Sequence, residues 1–246
     1  MFFYIILAII LSGVFGSSSL HLYSSKRCPY AERSSILIEE LGIEATHTEI
    51  DLRNKPGWLK QVSPKGKIPA LTVVVNGKNN TLYESLVINE FLAESYPNPN
   101  LLPSSPLGRA NMRLAVDYLD STVNPAFFTY FGNKVNEKDP ELKEAFLAAL
   151  DGIEEMLEQG DYICGDYLTL ADINYLPFFE RMVVALEHFK GFTMDAGRHG
   201  KVCAWMDRVF SRPSFKACEM GRDYIIETYK LFSEMDYKFG GLNKSK

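Results

Sequence analysis

The chain has 246 residues, 46% of them hydrophobic, and a formal net charge of −5 at pH 7. That length can bury one large core or two modest ones, and a usual size of roughly 100–200 residues per domain favours two. The acidic balance, with no basic run or Lys/Arg stripe, excludes nucleic acid as a partner, and Cys28, Cys164, Cys203 and Cys218 lie too far apart for CxxC or Cys/His ligand spacing, so neither a metal site nor a disulfide framework is expected.

Residues 1–16, MFFYIILAIILSGVFG, are apolar but short for a bilayer span. They resemble the hydrophobic region of a signal peptide, with Val14 and Gly16 as small residues before Ser17-Ser18-Ser19, although no basic segment precedes them. The expectation is a signal peptide or hydrophobic leader. It puts the protein in the secretory pathway if it functions and in the cytoplasm otherwise, and it is the one route to membrane contact. The N-x-S/T sites at Asn79 and Asn243 are no more than chance supplies.

Past the leader, Leu20 to Tyr23 alternates and is β-prone, which predicts a strand. It runs through Ser24-Ser25-Lys26-Arg27-Cys28-Pro29 into a helical segment, Tyr30 to Leu41, that carries Ser34, Leu37, Ile38 and Leu41 on one face and ends at Gly42. Thr46 to Ile50 reads as a second strand, broken by Asn54-Lys55-Pro56-Gly57, and Trp58 to Val62 as at most a short helix. Ile68 to Val75 reads as a third strand, turning at Asn76-Gly77 into Thr81-Leu82-Tyr83. Ser85 is expected to cap a helix from Leu86 to Glu94, stopped by Pro97 and Pro99. The order is βαβ, then ββα.

After a Pro/Ser-rich connector, Asn98 to Pro106, the pattern turns helical. Pro106–Thr122, Pro140–Gln159, Leu170–Phe189, Gly200–Phe210 and Arg222–Tyr237 read as helices, with Leu114, Tyr118 and Val123 in the first and Ala145, Leu150, Ile153 and Leu157 in the second at helical spacing. No strand pattern is expected there. Thr169 and Asp172 stand three apart at a helix start, as a capping box requires. Phe127, Phe128, Tyr130, Phe131, Tyr175, Phe178 and Phe179 read mainly as core; one or two of them, or Trp205, could line a second-substrate pocket. Cys164, Cys203 and Cys218 read as structural.

The residue whose setting suggests chemistry is Cys28. A cysteine between a strand and a helix start has its sulfur near free backbone N–H groups and the positive end of the helix dipole, and both favour thiolate. Lys26 and Arg27 add positive charge, and Pro29 suits the first helical position because it has no N–H to leave unpaired. Glu32 stabilises the same helix start but opposes a nearby thiolate. Ala31 stands where a dithiol oxidoreductase carries a second cysteine, so an external thiol must resolve any mixed disulfide of Cys28.

Taken together, Cys28-Pro29-Tyr30-Ala31-Glu32-Arg33, Ile50 to Trp58 (IDLRNKPGW), Lys67-Ile68-Pro69-Ala70-Leu71, Tyr83-Glu84-Ser85 and Gly165 to Asp172 (GDYLTLAD) resemble the motifs of the glutathione S-transferase family, most nearly its cysteine-type omega and lambda classes. The resemblance covers about Leu20 to Phe215. It implies a thioredoxin-like glutathione-binding domain over 20–97 followed by an all-helical domain over 106–246, the cytosolic glutathione transferase fold. It implies Cys28 as the catalytic thiol, with Tyr30, Lys55, Ile68, Pro69, Glu84 and Ser85 around glutathione. Pro69 would be cis, turning the Ile68 backbone toward the cysteinyl amide. Glu84 would take the γ-glutamyl ammonium, Ser85 the carboxylate, and Lys55 the region of the glycyl end. Tyr30 would flank the thiol.

The resulting expectation is a glutathione-dependent thiol transferase or dehydroascorbate reductase working through a Cys28 glutathionyl mixed disulfide. Glutathione is a co-substrate, no cofactor is tightly held, and the second substrate is a small-molecule or protein disulfide. A homodimer follows from the resemblance alone. Two alternatives stand beside this: a conjugating transferase that activates glutathione through a hydroxyl near Tyr23–Ser25, and a non-enzymatic binding or channel-like protein of the same fold.

Overall fold

The computed structural model describes residues 19–96, 98, 100–234, 237–238 and 241–242. The leader at 1–16, the helix-stopping Pro97 and Pro99, and Asn243 lie outside the described residues. The chain divides into two compact units, one through Leu92 and one from Ala93.

The first unit is built on a four-stranded sheet. Its elements are β1 (Ser19–Ser24), α1 (Pro29–Leu41), β2 (Thr46–Glu49), α2 (Leu59–Val62), β3 (Ala70–Val75), β4 (Lys78–Tyr83) and α3 (Ser85–Ser95). The sheet order is β2-β1-β3-β4, with β1 and β2 parallel and the β1/β3 and β3/β4 pairs antiparallel. The parallel pair needs a crossover, which α1 supplies; the antiparallel pair needs only a tight turn. That turn is Asn76-Gly77, both residues at positive φ as a two-residue hairpin requires. Period-2 alternation gives β1 its two faces: Leu20, Leu22 and Ser24 are buried, while His21 and Tyr23 stay half-exposed on the other side. Gly42 ends α1 in the left-handed region at φ 61°, its N–H bonding back to the last turn.

Two of the boundaries that differ from the sequence reading bear on the site. β3 begins at Ala70, because Pro69 has no N–H to give a ladder. Ser85 does not cap α3 from outside but is its first residue. The carbonyl of Glu84 accepts the first helical bond, from the Ile88 N–H at 3.0 Å, so Glu84 occupies the cap position. The buried Asn89 of α3 ties this helix to α1, accepting from the Ser34 hydroxyl at 2.8 Å and donating to the Arg33 carbonyl at 3.3 Å.

The second unit is helical: α4 (Pro106–Tyr118), α5 (Asn124–Gly132), α6 (Asp139–Met156), α7 (Leu170–Lys190), α8 (Gly200–Phe210), α9 (Pro213–Cys218) and α10 (Arg222–Glu234). A π-helical turn, Leu119–Val123, joins α4 to α5, so the helical run continues beyond the expected stop at Thr122 into an element the sequence reading did not separate. The buried stripe here is Met112, Ala115, Val116, Leu119 and Val123. Leu114, expected on the core face, is instead 65% exposed, and Ala145 of α6 is exposed as well. The last helix ends at Glu234, and two short strands, β5 (Tyr237–Lys238) and β6 (Gly241–Leu242), pair antiparallel where none was expected.

α7 is buried nearly all round, from Leu170 through Met182, which fits a helix packed by α4, α5, α8 and α10 together. Its start is fixed by the expected capping box, with Thr169 and Asp172 satisfying each other's backbone N–H groups. Asp172 also accepts from the Ile163 N–H and from Trp205 Nε1, both at 2.9 Å. Trp205 is therefore a fully buried member of the network that holds the start of α7.

Candidate functional site

The ladders bring three chain segments to one end of the sheet. Tyr23 is in register with Ala70, and Ala70 with Tyr83. The chain therefore leaves β1 toward Cys28, enters β3 from Ile68-Pro69, and leaves β4 into Glu84-Ser85, all along the same edge. Two strand spacings separate β1 from β4, about 10 Å. An extended tripeptide spans about the same distance.

Cys28 sits at the N-cap of α1 with extended backbone (φ −98°, ψ 110°), and Pro29 takes the first helical position. Its carbonyl accepts from the N–H groups of Ala31 and Glu32 at 3.1 and 3.0 Å, which holds the helix start. The side chain makes no capping bond to those N–H groups. The thiol instead donates to the Ile68 carbonyl at 3.9 Å. It is half-buried and packs beside Tyr23 on the cluster of Ala31, Ile50, Leu59 and Ile68. The Ile68–Pro69 bond is cis, as the resemblance implied. Half-buried Tyr30 lies under the Arg33 guanidinium, 5.1 Å from the ring centroid.

Glu84 adopts φ 71°, a left-handed conformation uncommon outside glycine and asparagine. This bend lets the strand turn directly into α3. The carboxylate of Glu84 is exposed and pairs with Lys65, Nζ to Oε1, at 3.1 Å. Ser85 is only 6% exposed, at the start of a helix whose first N–H groups lack intrahelical partners. Lys55 Nζ donates to the Gly66 carbonyl at 3.1 Å, so in this structure it braces the turn before Ile68. Lys65 escaped the sequence reading, because no motif marks it; its partner is 19 residues away and is met only through the β3/β4 hairpin.

The hydroxyl alternative is uneven. Ser25 is 3% exposed and its hydroxyl donates to Glu49 at 2.8 Å, while the Lys26 N–H donates to the same oxygen. The Tyr23 ring packs at a tilt against those of His21 and Trp58, with centroids 4.6 and 5.6 Å away. The other cysteines stand in different surroundings. Burial pushes the Cys164 thiol up to about 11, with Asp172 adding to it, and burial raises Cys203 as well. Among the described residues no group of His, Cys, Asp and Glu has the arrangement of a metal site, and no helix is long and apolar enough to cross a membrane.

Comparison with known proteins matches this division. Residues 27–95 match the glutathione S-transferase N-terminal domain, and residues 118–213 its C-terminal domain. The chain is 30% identical over 202 residues to a probable glutathione S-transferase of Oryza sativa subsp. japonica, DHAR1, cytosolic, covering 81% of this chain and 87% of that protein. It is 32% identical over 166 residues to glutathione S-transferase omega-1 of Sus scrofa, covering 66% and 67%. The crystal structure of glutathione transferase Omega 3C from Trametes versicolor superposes with a TM-score of 0.76 at 28% identity, over 92% of this chain and 95% of that one. With both domain families matched in chain order and relatives spanned over most of their length, the chain belongs to the glutathione S-transferase family, beside its omega-class and DHAR-type members, and is a glutathione transferase.

Proposed function

We propose that the protein is a glutathione-dependent thiol transferase that works through a mixed disulfide between Cys28 and glutathione, with residues 20–97 as its glutathione-binding domain. The observation that carries the reading is the setting of Cys28: a half-buried thiol at a helix start, 3.9 Å from the Ile68 carbonyl, at the sheet edge where Glu84 and Ser85 also emerge. The Cys28 thiolate attacks the glutathionyl sulfur of a disulfide RS–SG, forming the Cys28–glutathione disulfide and releasing RS−, which takes a proton. A second glutathione thiolate then attacks the glutathionyl sulfur of that disulfide. Oxidised glutathione leaves and Cys28 returns as thiolate. Ala31 supports the external reductant, since no cysteine stands there to resolve the intermediate.

Glutathione lies, in this reading, with its γ-glutamyl ammonium on Glu84, its carboxylate on Ser85 and the α3 N–H groups, its cysteinyl backbone along Ile68-Pro69, and Tyr30 beside the sulfur. Lys55 reaches the glycyl end once it releases Gly66. Dehydroascorbate and small or protein-bound disulfides are the second substrates, in keeping with the DHAR and omega relatives. Location in the cytoplasm fits the cytosolic relative. A homodimer is supported by Leu107 and Leu114, 70% and 65% exposed and seven residues apart on one face of α4. Conjugation through Ser25 is disfavoured because its hydroxyl is committed to Glu49.

The test is treatment with oxidised glutathione followed by peptide mapping. One glutathionyl group is expected, on Cys28, removable by reduced glutathione. Cys28→Ser is expected to abolish disulfide and dehydroascorbate reduction, because a hydroxyl cannot form the intermediate. Full reductase activity in Cys28→Ser would overturn the mechanism in favour of a hydroxyl at Tyr23.

A further inference from the structure

The Lys65–Glu84 ion pair stands on the carboxylate that the proposed function gives to the ligand, and no part of that function uses Lys65. Lys65 lies in a tightly tied turn. The Gly66 N–H bonds the Ser63 carbonyl at 2.7 Å, the Lys67 N–H bonds the Ser63 hydroxyl at 3.2 Å, and Ser63 itself is 1% exposed. Next to it, the Gly66 carbonyl is held by Lys55. The turn is thus fixed by hydrogen bonds that do not involve the Lys65 side chain, which stands 62% exposed opposite a Glu84 side chain that is 48% exposed. The lysine reaches Glu84 as a primary ammonium on an alkyl stem, the same donor that an α-amino acid presents.

A ligand that brings only an ammonium would have to evict Lys65 from Glu84 and leave a lysine without its anion. A zwitterionic α-amino acid brings both charges. Its nitrogen and carboxylate oxygens lie within about 3 Å of one another, so an ammonium seated on Glu84 carries its carboxylate within reach of a lysine that already touches the same oxygen. The resident pair and the incoming pair then exchange partners: ligand ammonium to Glu84, ligand carboxylate to Lys65. The number of opposite-charge contacts rises while no charge is stranded.

We propose that Lys65 is a specificity residue that exchanges its ion pair with Glu84 for the α-carboxylate of the γ-glutamyl end, so that the pair selects ligands carrying a free α-ammonium and a free α-carboxylate together. This rests on the reading that Glu84 binds the γ-glutamyl ammonium. Both side chains are solvent-exposed, so the effect belongs to the range of exposed ion pairs and is screened by salt.

The experiment measures dissociation constants by calorimetry for two ligands, glutathione and its analogue with γ-aminobutyryl in place of γ-glutamyl, which lacks the α-carboxylate. Lys65→Met keeps the stem and removes the charge. It is expected to weaken glutathione about three- to fivefold at low salt, to leave the analogue unchanged or tighter, and to lose this difference at high salt. A Lys65→Met protein that binds glutathione more tightly would overturn the proposal, making Lys65 a mere competitor for Glu84; so would equal weakening of both ligands. Glu84→Gln separates the two levels of argument. If it leaves glutathione affinity intact, the underlying assignment of Glu84 fails. If it weakens glutathione while Lys65→Met does not, that assignment stands and the partner exchange is wrong. Circular dichroism melts of each variant keep the comparison among folded proteins.

Discussion

The two units treat their polar groups in opposite ways. In the helical unit Asp172 is wholly buried yet answered on every side, by Ile163, Thr169 and Trp205, and the nearby Cys164 is pushed toward the neutral thiol. In the α/β unit the strand ends hand over to Cys28, Glu84 and a helix N-terminus, leaving the Glu84 carboxylate exposed with a surface lysine on it. A closed network specifies a structure, since leaving any one of its donors unpaired is expensive. An open edge costs less to rearrange and can take a ligand. The contrast sets the closed network around Asp172 beside the open sheet edge at Glu84, and each half of it can be broken separately.

The largest effect is expected at Asp172. Asp172→Ala strands the Ile163 and Thr169 N–H groups and Trp205 Nε1 in a dry interior, each worth about 1–3 kcal/mol. A loss of at least about 3 kcal/mol is expected in chemical denaturation, with Trp205→Phe losing about 1–2 kcal/mol because it removes one donor and keeps most of the ring. A near-neutral Asp172→Ala would mean that the network is not what holds the start of α7.

Next in size is the contrast between thiols. Alkylation near neutral pH is expected to modify Cys28 first and Cys164 not at all in the folded protein, since a thiol raised to about 11 is almost entirely protonated there. Equal rates at both positions would erase the distinction. Within the open edge, Ser85→Ala is expected to weaken binding to immobilised glutathione while the variant stays folded by circular dichroism. Unchanged affinity in a folded variant would move the carboxylate site away from the α3 start.

Much of this was legible because the relevant signals are local. The Asn76-Gly77 turn, the Gly42 stop, the Thr169–Asp172 box and the Cys28-Pro29 junction each lie within a few residues, and all four hold. What escaped the sequence depends on contacts far along the chain. Leu114 has the apolar character and spacing of a core residue, but the buried stripe runs through Met112, Ala115, Val116 and Leu119, with the Ala115 carbonyl accepting from Tyr175 of α7, and leaves Leu114 outside. The π turn at Leu119–Val123 shifts the register of the following helix, which period counting does not anticipate. Ser85 reads as a cap by residue type alone, and only the left-handed bend at Glu84 moves the cap position back by one. Lys65 and Ser25 acquire their partners across the sheet, 19 and 24 residues away.

The smallest effect tests whether a half-exposed polar network in the helical unit behaves like the buried one. Asp151 of α6 accepts a fork from Arg198, Nε at 2.9 Å and a shorter-range Nη2 contact at 2.6 Å, and meets the buried His199 ring at 2.9 Å. The Arg198 hydrogen bonds, followed by that from His199, hold its carboxyl down at about 2 against the opposing effect of burial. A carboxylate depressed in the folded state adds stability that is complete above its unfolded value of about 3.9 and fades as pH falls through about 2. Because Asp151 is nearly half exposed, solvent screening limits the contribution to about 1 kcal/mol or less. Asp151→Asn is therefore expected to melt slightly below the parent at neutral pH, with the gap shrinking between about pH 4 and pH 2 as the parent's own carboxylate is neutralised. A gap that stays constant down to pH 2 would assign the loss to shape and hydrogen-bond geometry instead of charge, and Asp151 would then belong with Asp172 on the closed side of the comparison.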